Sequence, residues 1–210
     1  MASQQKVTII DVVNNAERLL ADANLLFDNQ RFASAFMLAV LAFEEVGKAL
    51  LWSWGESEKA PRSRSRVSFH SRKQSATAAL LVSQAVDKVL RPKIRTHFAQ
   101  HISNAPGTIK ERLSSVPTFT NFDESARELV KTEESQLSFM VYNGVIDLTK
   151  RAATYVDHQS AERQIYPNKF KHRDPQRFID ETRRALRLMK DEFAMNVGHA
   201  IFRSVEVPNG

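Results

Sequence analysis

Two stretches of the sequence pair an arginine with a histidine at a spacing that suits phosphate chemistry. Arg151 precedes His158, and Arg95 precedes His101. An arginine stabilises the charge that a phosphodiester gains in its transition state, and a histidine moves a proton to or from a ribose hydroxyl or the leaving oxygen. As bare patterns the two pairs are equivalent. At least one of the two matches is accidental, so the residue types indicate a candidate site for phosphodiester cleavage at one of these two places or at neither.

A compact group of charges lies inside the most apolar stretch of the chain, residues 31–54. It consists of Glu44, Glu45 and Lys48. Charges within such a stretch cost free energy unless they are paired or used. Glu44 and Lys48 are four residues apart and are expected to pair on one helix face. Glu45 lies about 100° further round the helix and is expected to point towards another helix.

Basic residues are concentrated after this stretch. Six lie between Lys59 and Lys73, and no acidic residue interrupts them. His70 and Lys73 can meet one anion at the start of a helix, and Arg72 lies between them. The formal charge of +6 and the pI of about 9.7 also fit a polyanionic partner such as RNA, DNA or an acidic protein. A solvated surface loop is the alternative interpretation of the same residues.

Several kinds of chemistry are excluded by missing residues. The chain has no cysteine, and therefore no disulfide and no thiolate metal site. It also lacks a Walker loop, a dinucleotide glycine pattern, an HExxH motif and a Gly-x-Ser-x-Gly motif. We predict no metal and no cofactor. The longest uncharged apolar run, residues 32–43, is shorter than the roughly 20 residues of a membrane span, so a cytoplasmic protein without a membrane partner is expected.

The elements that position these residues are expected to be helices. Gly and Pro are scarce, and strand-like alternation is nearly absent, which predicts a single all-α domain over residues 1–210. Pro92 is expected to break or kink the third helix. The predicted helices cover residues 8–28, 31–54, 68–90, 93–104, 123 to 149–154, and 174–202. The predicted connections are a mobile basic loop at 55–68, a loop at 105–121 and an irregular segment at 155–173.

Three segments of the sequence resemble a known family. They are RFASAFMLAVLAFEEVGKALL, FHSRKQ a little over twenty residues later, and KRAATYVD before the final helix. Together they resemble the AbiV family of bacterial abortive-infection proteins, which is part of the HEPN superfamily of helical domains. The resemblance extends from the first helix to about residue 157, and ASAFMLAVLAFEEVGKAL is its most specific part.

The resemblance implies a HEPN-like bundle of four to five helices that forms a homodimer. Many such domains are metal-independent ribonucleases or act in phage defence. Their Arg-x(4–6)-His motif lies late in the bundle, which favours Arg151 and His158 over Arg95 and His101. The implied partners are RNA, a second copy of the chain, and a phage or antitoxin-like protein.

The resemblance also suggests roles for individual residues. The expected catalytic residues are Arg151, His158 and Glu45. The expected RNA phosphate contacts are Lys48, His70, Arg72 and Lys73. The expected supporting residues are Glu44, Tyr155 and Asp157. We thus expect a phage-defence protein that cleaves RNA, or binds RNA and so inhibits translation. The alternative is a non-catalytic helical module that binds a phage or host protein.

Overall fold

The fold is a bundle of α-helices. The structure, a computed structural model, describes residues 7–58, 69–104, 106–108, 111, 122–154 and 171–206. This part of the chain contains eight helices and no β-strand, which confirms the all-α prediction. The helices are α1 (Ile9–Asp28), α2 (Phe32–Ser53), α3 (Phe69–Asn104), α4 (Phe122–Val130), α5 (Glu133–Tyr142), α6 (Val145–Thr154), α7 (Arg173–Leu188) and α8 (Glu192–Glu206).

Helices α1 and α2 form the expected antiparallel hairpin. Thr8 caps α1: its hydroxyl accepts a hydrogen bond from the Asp11 backbone N–H at 3.2 Å, and the Asp11 carboxylate accepts one from the Thr8 N–H at 2.8 Å. This reciprocal pair satisfies two N–H groups that a helix start leaves without partners. Gln30 has a φ of 58° and reverses the chain between the two helices.

Helix α2 is the centre of the bundle. Its buried residues face α1, α3, α6 and α7, and include Phe36, Val40, Phe43, Val46 and Leu50. Gly47 allows α3 to approach α2 closely, because a residue with a Cβ at this position would place that atom 2.5 Å from the carbonyl carbon of Lys73. The short distance also allows the Thr77 hydroxyl to donate a hydrogen bond of 2.8 Å to the Phe43 carbonyl oxygen.

Pro92 does not break the helix, because α3 runs through this residue as one helix of 36 residues, and the alternative that Pro92 kinks the helix stays a prediction. A proline costs a helix one backbone hydrogen bond, and an ion pair lies on each side of this one. Arg91 lies 2.6 Å from Asp87 one turn earlier, and Lys93 lies 3.0 Å from Glu128 of α4.

Two predicted long helices are divided by short turns, which gives eight helices in the described part of the chain. The predicted helix over 123–154 is three helices, α4 to α6. Thr132 caps α5, and Gly144 has a φ of +68° that ends this helix. The predicted helix over 174–202 is α7 and α8, and the Asp191 carboxylate accepts a hydrogen bond from the Ala194 N–H at the start of α8.

Parts of the three predicted connections lie outside the described residues. These parts are residues 59–68, most of 105–121, and 155–170. None of the helices in the described ranges is long and apolar enough to cross a membrane.

Candidate functional site

A buried glutamate organises the polar side chains where α2, α3 and α6 meet. The Glu44 side chain is 2 % exposed. Its Oε2 lies 2.7 Å from His70 Nδ1, and its Oε1 accepts from Gln74 Nε2 at 2.8 Å and Lys150 Nζ at 2.5 Å. Both carboxylate oxygens are therefore hydrogen-bonded. This removes much of the cost of burying the group, which otherwise amounts to several kcal/mol.

Asp147 on α6 extends this arrangement. It lies 3.7 Å from Lys150 on the same helix and accepts a 2.9 Å hydrogen bond from Gln74 Nε2. The Ser71 hydroxyl also donates to Asp147, at 3.3 Å. We call Glu44, His70, Gln74, Asp147 and Lys150 the Glu44 cluster. It consists of two carboxylates, an ammonium group, an amide and an imidazole, and it links three helices.

Local sequence spacing explains how each helix presents its part of the cluster. Glu44 and Gly47 are three residues apart, so one face of α2 carries both the carboxylate and the gap that receives α3. His70 and Gln74 are four residues apart on α3, and Asp147 and Lys150 are three apart on α6. Each pair therefore projects from one face of its helix towards the same point.

The side-chain amide of Gln74 is only partly hydrogen-bonded. Gln74 is fully buried, and its Nε2 donates to both Glu44 and Asp147. Its Oε1 has no hydrogen-bond partner among the described residues. The amide is thus oriented by the two carboxylates, although its own oxygen loses its bonds to water.

The charges on α2 are arranged differently from the sequence expectation. The expected pair of Glu44 and Lys48 does not form, because the Lys48 ammonium lies 4.9 Å from the centre of the Trp52 ring. Glu44, and not Glu45, is the carboxylate that reaches the neighbouring helices. Glu45 is half-buried. Adjacent residues project about 100° apart on a helix, so the two carboxylates point in different directions, and the catalytic role expected of Glu45 stays a prediction.

Two of the expected phosphate contacts are buried. Arg72 is 2 % exposed, and its guanidinium lies 3.4 Å from Glu56 and 5.2 Å from the centre of the Phe202 ring. Lys73 is also buried. Both positions fit a role in holding α3 in the bundle. They do not fit contact with an RNA phosphate, because a phosphate group would have to enter the core.

Glu56 joins the end of α2 to α3 and α8. Its carboxylate lies 3.1 Å from His199 Nε2 and 3.4 Å from Arg203 Nε, in addition to its contact with Arg72. His199 is half-buried and stacks on Trp54 with 5.1 Å between ring centres. The hydrogen bond from His199 and the charges of the two arginines hold the pKa of Glu56 below its usual value.

Arg151 is exposed on α6, directly after Lys150 of the cluster. His158, Tyr155 and Asp157 lie outside the described residues, so the convergence of Arg151 with His158 stays a prediction. Arg95 and His101, the alternative pair, lie on the C-terminal half of α3. Arg95 is exposed there and His101 is half-buried.

Sequence reasoning missed three residues of the cluster: Gln74, Asp147 and Lys150. The three-residue spacing of Asp147 and Lys150 was a local signal for an ion pair on one helix face. Nothing local connected them to Glu44, because Lys150 is 106 positions away along the chain. Only the packing of α6 against α2 brings these residues together.

The all-helical architecture around this cluster is of the HEPN type. A family model described as AbiV, within the HEPN group, matches residues 6–187, and the chain belongs to this family. No curated protein and no solved structure matches the chain. Membership of the AbiV family points to an abortive-infection function of the HEPN type.

Proposed function

We propose that this protein is a metal-independent endoribonuclease that acts in abortive infection. Family membership supports the abortive-infection part of the proposal. The observation that supports the nuclease part is the arrangement of α6 beside the Glu44 cluster. Lys150 is held by the buried carboxylate, and the next residue, Arg151, is exposed on the same helix.

Arg151 is the residue proposed to stabilise the transition state. A guanidinium binds phosphate oxygens through two N–H groups in a fixed geometry, and its charge does not depend on pH in the physiological range. Lys150 cannot easily serve this purpose, because its ammonium is engaged by Glu44 and is 15 % exposed. We assign proton transfer to His158, which follows Arg151 at the spacing of the family motif.

RNA is therefore the proposed substrate. We further propose that the protein is cytoplasmic and acts as a homodimer, as the family resemblance implies. A light-scattering mass of twice 23.9 kDa would support the dimer, and the mass of a single chain would contradict it. Lys48 stays a candidate for phosphate contact, whereas the buried Arg72 and Lys73 are left out of the proposed RNA surface.

The nuclease proposal is tested with purified protein and total RNA in the presence of a chelator. We expect cleavage by the wild type, and a rate lowered about 100-fold or more in Arg151→Ala, since removal of one transition-state contact commonly has an effect of this size. His158→Ala is expected to lose a similar factor. Arg18→Ala is the control, because Arg18 is an exposed helical arginine on α1 that pairs with Asp22 at 3.0 Å.

Cleavage at the wild-type rate by both Arg151→Ala and His158→Ala would contradict the assigned residues. Phage protection in cells should follow the same order as cleavage. A wild-type protein that protects cells while RNA stays intact would favour the alternative function, a non-catalytic module that binds a phage or host protein.

A further inference from the structure

A groove between α1 and the C-terminal end of α7 shares no residue with the Glu44 cluster. Its volume is about 510 Å³, and its walls come from α1, from α7 and from the turn that follows α7. The Glu44 cluster instead joins α2, α3 and α6. A molecule bound in this groove would therefore occupy a second site, which the proposed ribonuclease function does not use.

The floor of the groove is aliphatic. Val13 and Ala21 line it from α1, and Leu186 and Met189 line it from the opposite side. Ile10 lies one turn before Val13 on the same face of α1 and is 71 % exposed, so it extends this apolar surface beyond the groove. A continuous exposed apolar surface of this kind indicates a docking site.

A hydrogen bond across the groove defines one of its ends. Arg183 of α7 donates to the Asn24 side-chain oxygen of α1 at 3.1 Å. Val13 and Lys190 are the lining residues furthest from this bond along their two walls. Between Asn24 and Val13 the helix α1 rises about 16 Å, or three turns. The groove therefore has the length of a helical segment of about three turns.

The two rims of the groove differ in charge. Arg183, Arg187 and Lys190 are exposed along the α7 rim, whereas Glu17 on α1 is the only acid among the described lining residues. Arg183 pairs with Asp180 at 2.8 Å, but Arg187 and Lys190 form no ion pair within the described ranges. Cations near a helix C-terminus also balance the helix dipole, but that function does not require an apolar floor beside them.

We propose that this groove binds an amphipathic helix of another protein, one with an aliphatic face and an acidic flank. The aliphatic face covers the floor, and the carboxylates pair with Arg187 and Lys190. Helix-in-groove recognition uses apolar anchors at positions i, i+3 or i+4, and i+7, which a helix of three turns supplies. This binding does not depend on the proposed ribonuclease function.

RNA fits the groove less well than a helix does. Single-stranded RNA binds by stacking its bases on aromatic side chains beside a basic surface. The described residues that line this groove include no aromatic side chain. The charge of the α7 rim therefore favours an acidic partner, and the aliphatic floor favours a protein over a nucleic acid.

The test measures the binding of two labelled peptides to the full chain by fluorescence anisotropy. Both peptides have about 15 residues and a side-chain cross-link that keeps them helical. They share a leucine face, and one has a glutamate flank where the other has lysines. We expect the acidic peptide to bind at least about 10-fold more tightly at low salt, and added salt to reduce this difference.

Three variants locate the binding site. Arg187→Glu should weaken binding of the acidic peptide about 3-fold or more, because it replaces an attraction with a repulsion. Lys131→Glu is the matched control, since Lys131 is exposed in the turn before α5 and its replacement changes the net charge equally. Ala21→Gln should also weaken binding about 3-fold or more, because a larger polar side chain then projects from the exposed wall of the groove.

Several results would overturn the inference. Equal binding of the two peptides removes the acidic partner, and equal effects of Arg187→Glu and Lys131→Glu show attraction to the whole charged protein and not to the groove. Single-stranded RNA that loses affinity in both Arg187→Glu and Ala21→Gln identifies a nucleic-acid surface. A light-scattering mass that falls from two chains to one in Ala21→Gln identifies a second copy of the chain as the occupant. None of these readouts requires RNA cleavage, so failure of the groove and failure of the proposed function are separate results.

Discussion

Replacement of Gly47 by alanine tests the contact between α2 and α3 that assembles the Glu44 cluster. An added Cβ would lie 2.5 Å from the carbonyl carbon of Lys73 and 2.9 Å from the Thr77 hydroxyl oxygen. Ordinary van der Waals contact begins at 3.4 Å. The Lys73 atom belongs to a helix backbone, so no side chain can rotate out of the way.

The expected cost follows from the movement that the new methyl group requires. The carbonyl carbon alone requires the two helices to separate by about 0.9 Å, and the Lys73 carbonyl oxygen, which is closer still, requires more; such overpacking costs about 1–3 kcal/mol or more. Separation also weakens the hydrogen bond from Thr77 to the Phe43 carbonyl. Alanine is more favourable than glycine in a helix interior by about 1 kcal/mol, which offsets part of this cost. We expect a net loss of about 3 kcal/mol, or a melting temperature lower by about 6–12 °C for a chain of this size.

Thermal unfolding followed by circular dichroism measures this effect, and Gly198→Ala is the matched control. Gly198 is also helical, but its added Cβ would lie 3.0 Å from Leu80 Cα and needs a movement of only about 0.4 Å. The higher helix propensity of alanine should offset most of that cost, so the free energy of unfolding of the control is expected to stay within about 1 kcal/mol of the wild-type value. A Gly47→Ala protein as stable as the control would refute the close helix contact.

Two further predictions concern buried charge. Lys150→Met should destabilise the fold by about 3 kcal/mol or more, because it leaves the Glu44 carboxylate without its cation. The double variant with Glu44→Gln should recover part of this loss in urea unfolding, and an equal or greater loss in the double variant would contradict the pairing. Glu56→Gln should lower stability at pH 7 by about 1 kcal/mol through its contact with His199. Because the pKa of Glu56 is lowered in the folded protein, its contribution is present above pH 4.5 and disappears as the pH falls through the folded value. The two melting temperatures should therefore converge in acid, and a constant difference would contradict this linkage.

The helices predictable from sequence are those whose signals are local. The boundaries of α1 and α2 follow from the Thr8 cap, the short turn after Asp28 and the apolar run up to Trp54. The turns at 131–132 and 143–144 were missed, since the apolar positions continue through them. The signals were present as a capping Thr132 and a Gly144 that requires a positive φ.

The candidate site was predictable only in part. The central importance of the charges on α2 could be inferred, because charge in an apolar helix must be compensated. Which of the two carboxylates is buried could not be inferred, because Glu44 and Glu45 are the same residue type and differ only in the direction in which their side chains project from the helix. Packing decides this point, because α3 and α6 both lie on the Glu44 side of α2.

The sequence by itself determined that this chain is helical, belongs to the AbiV family and carries buried charge near the centre of its bundle. These properties depend on periodicity, composition and motifs, all of which are readable over short distances along the chain. The tertiary structure alone decided that Glu44 holds His70 and Lys150 at one point. Contacts across 26 and 106 positions have no local signature, because they exist only once α3 and α6 have packed against α2.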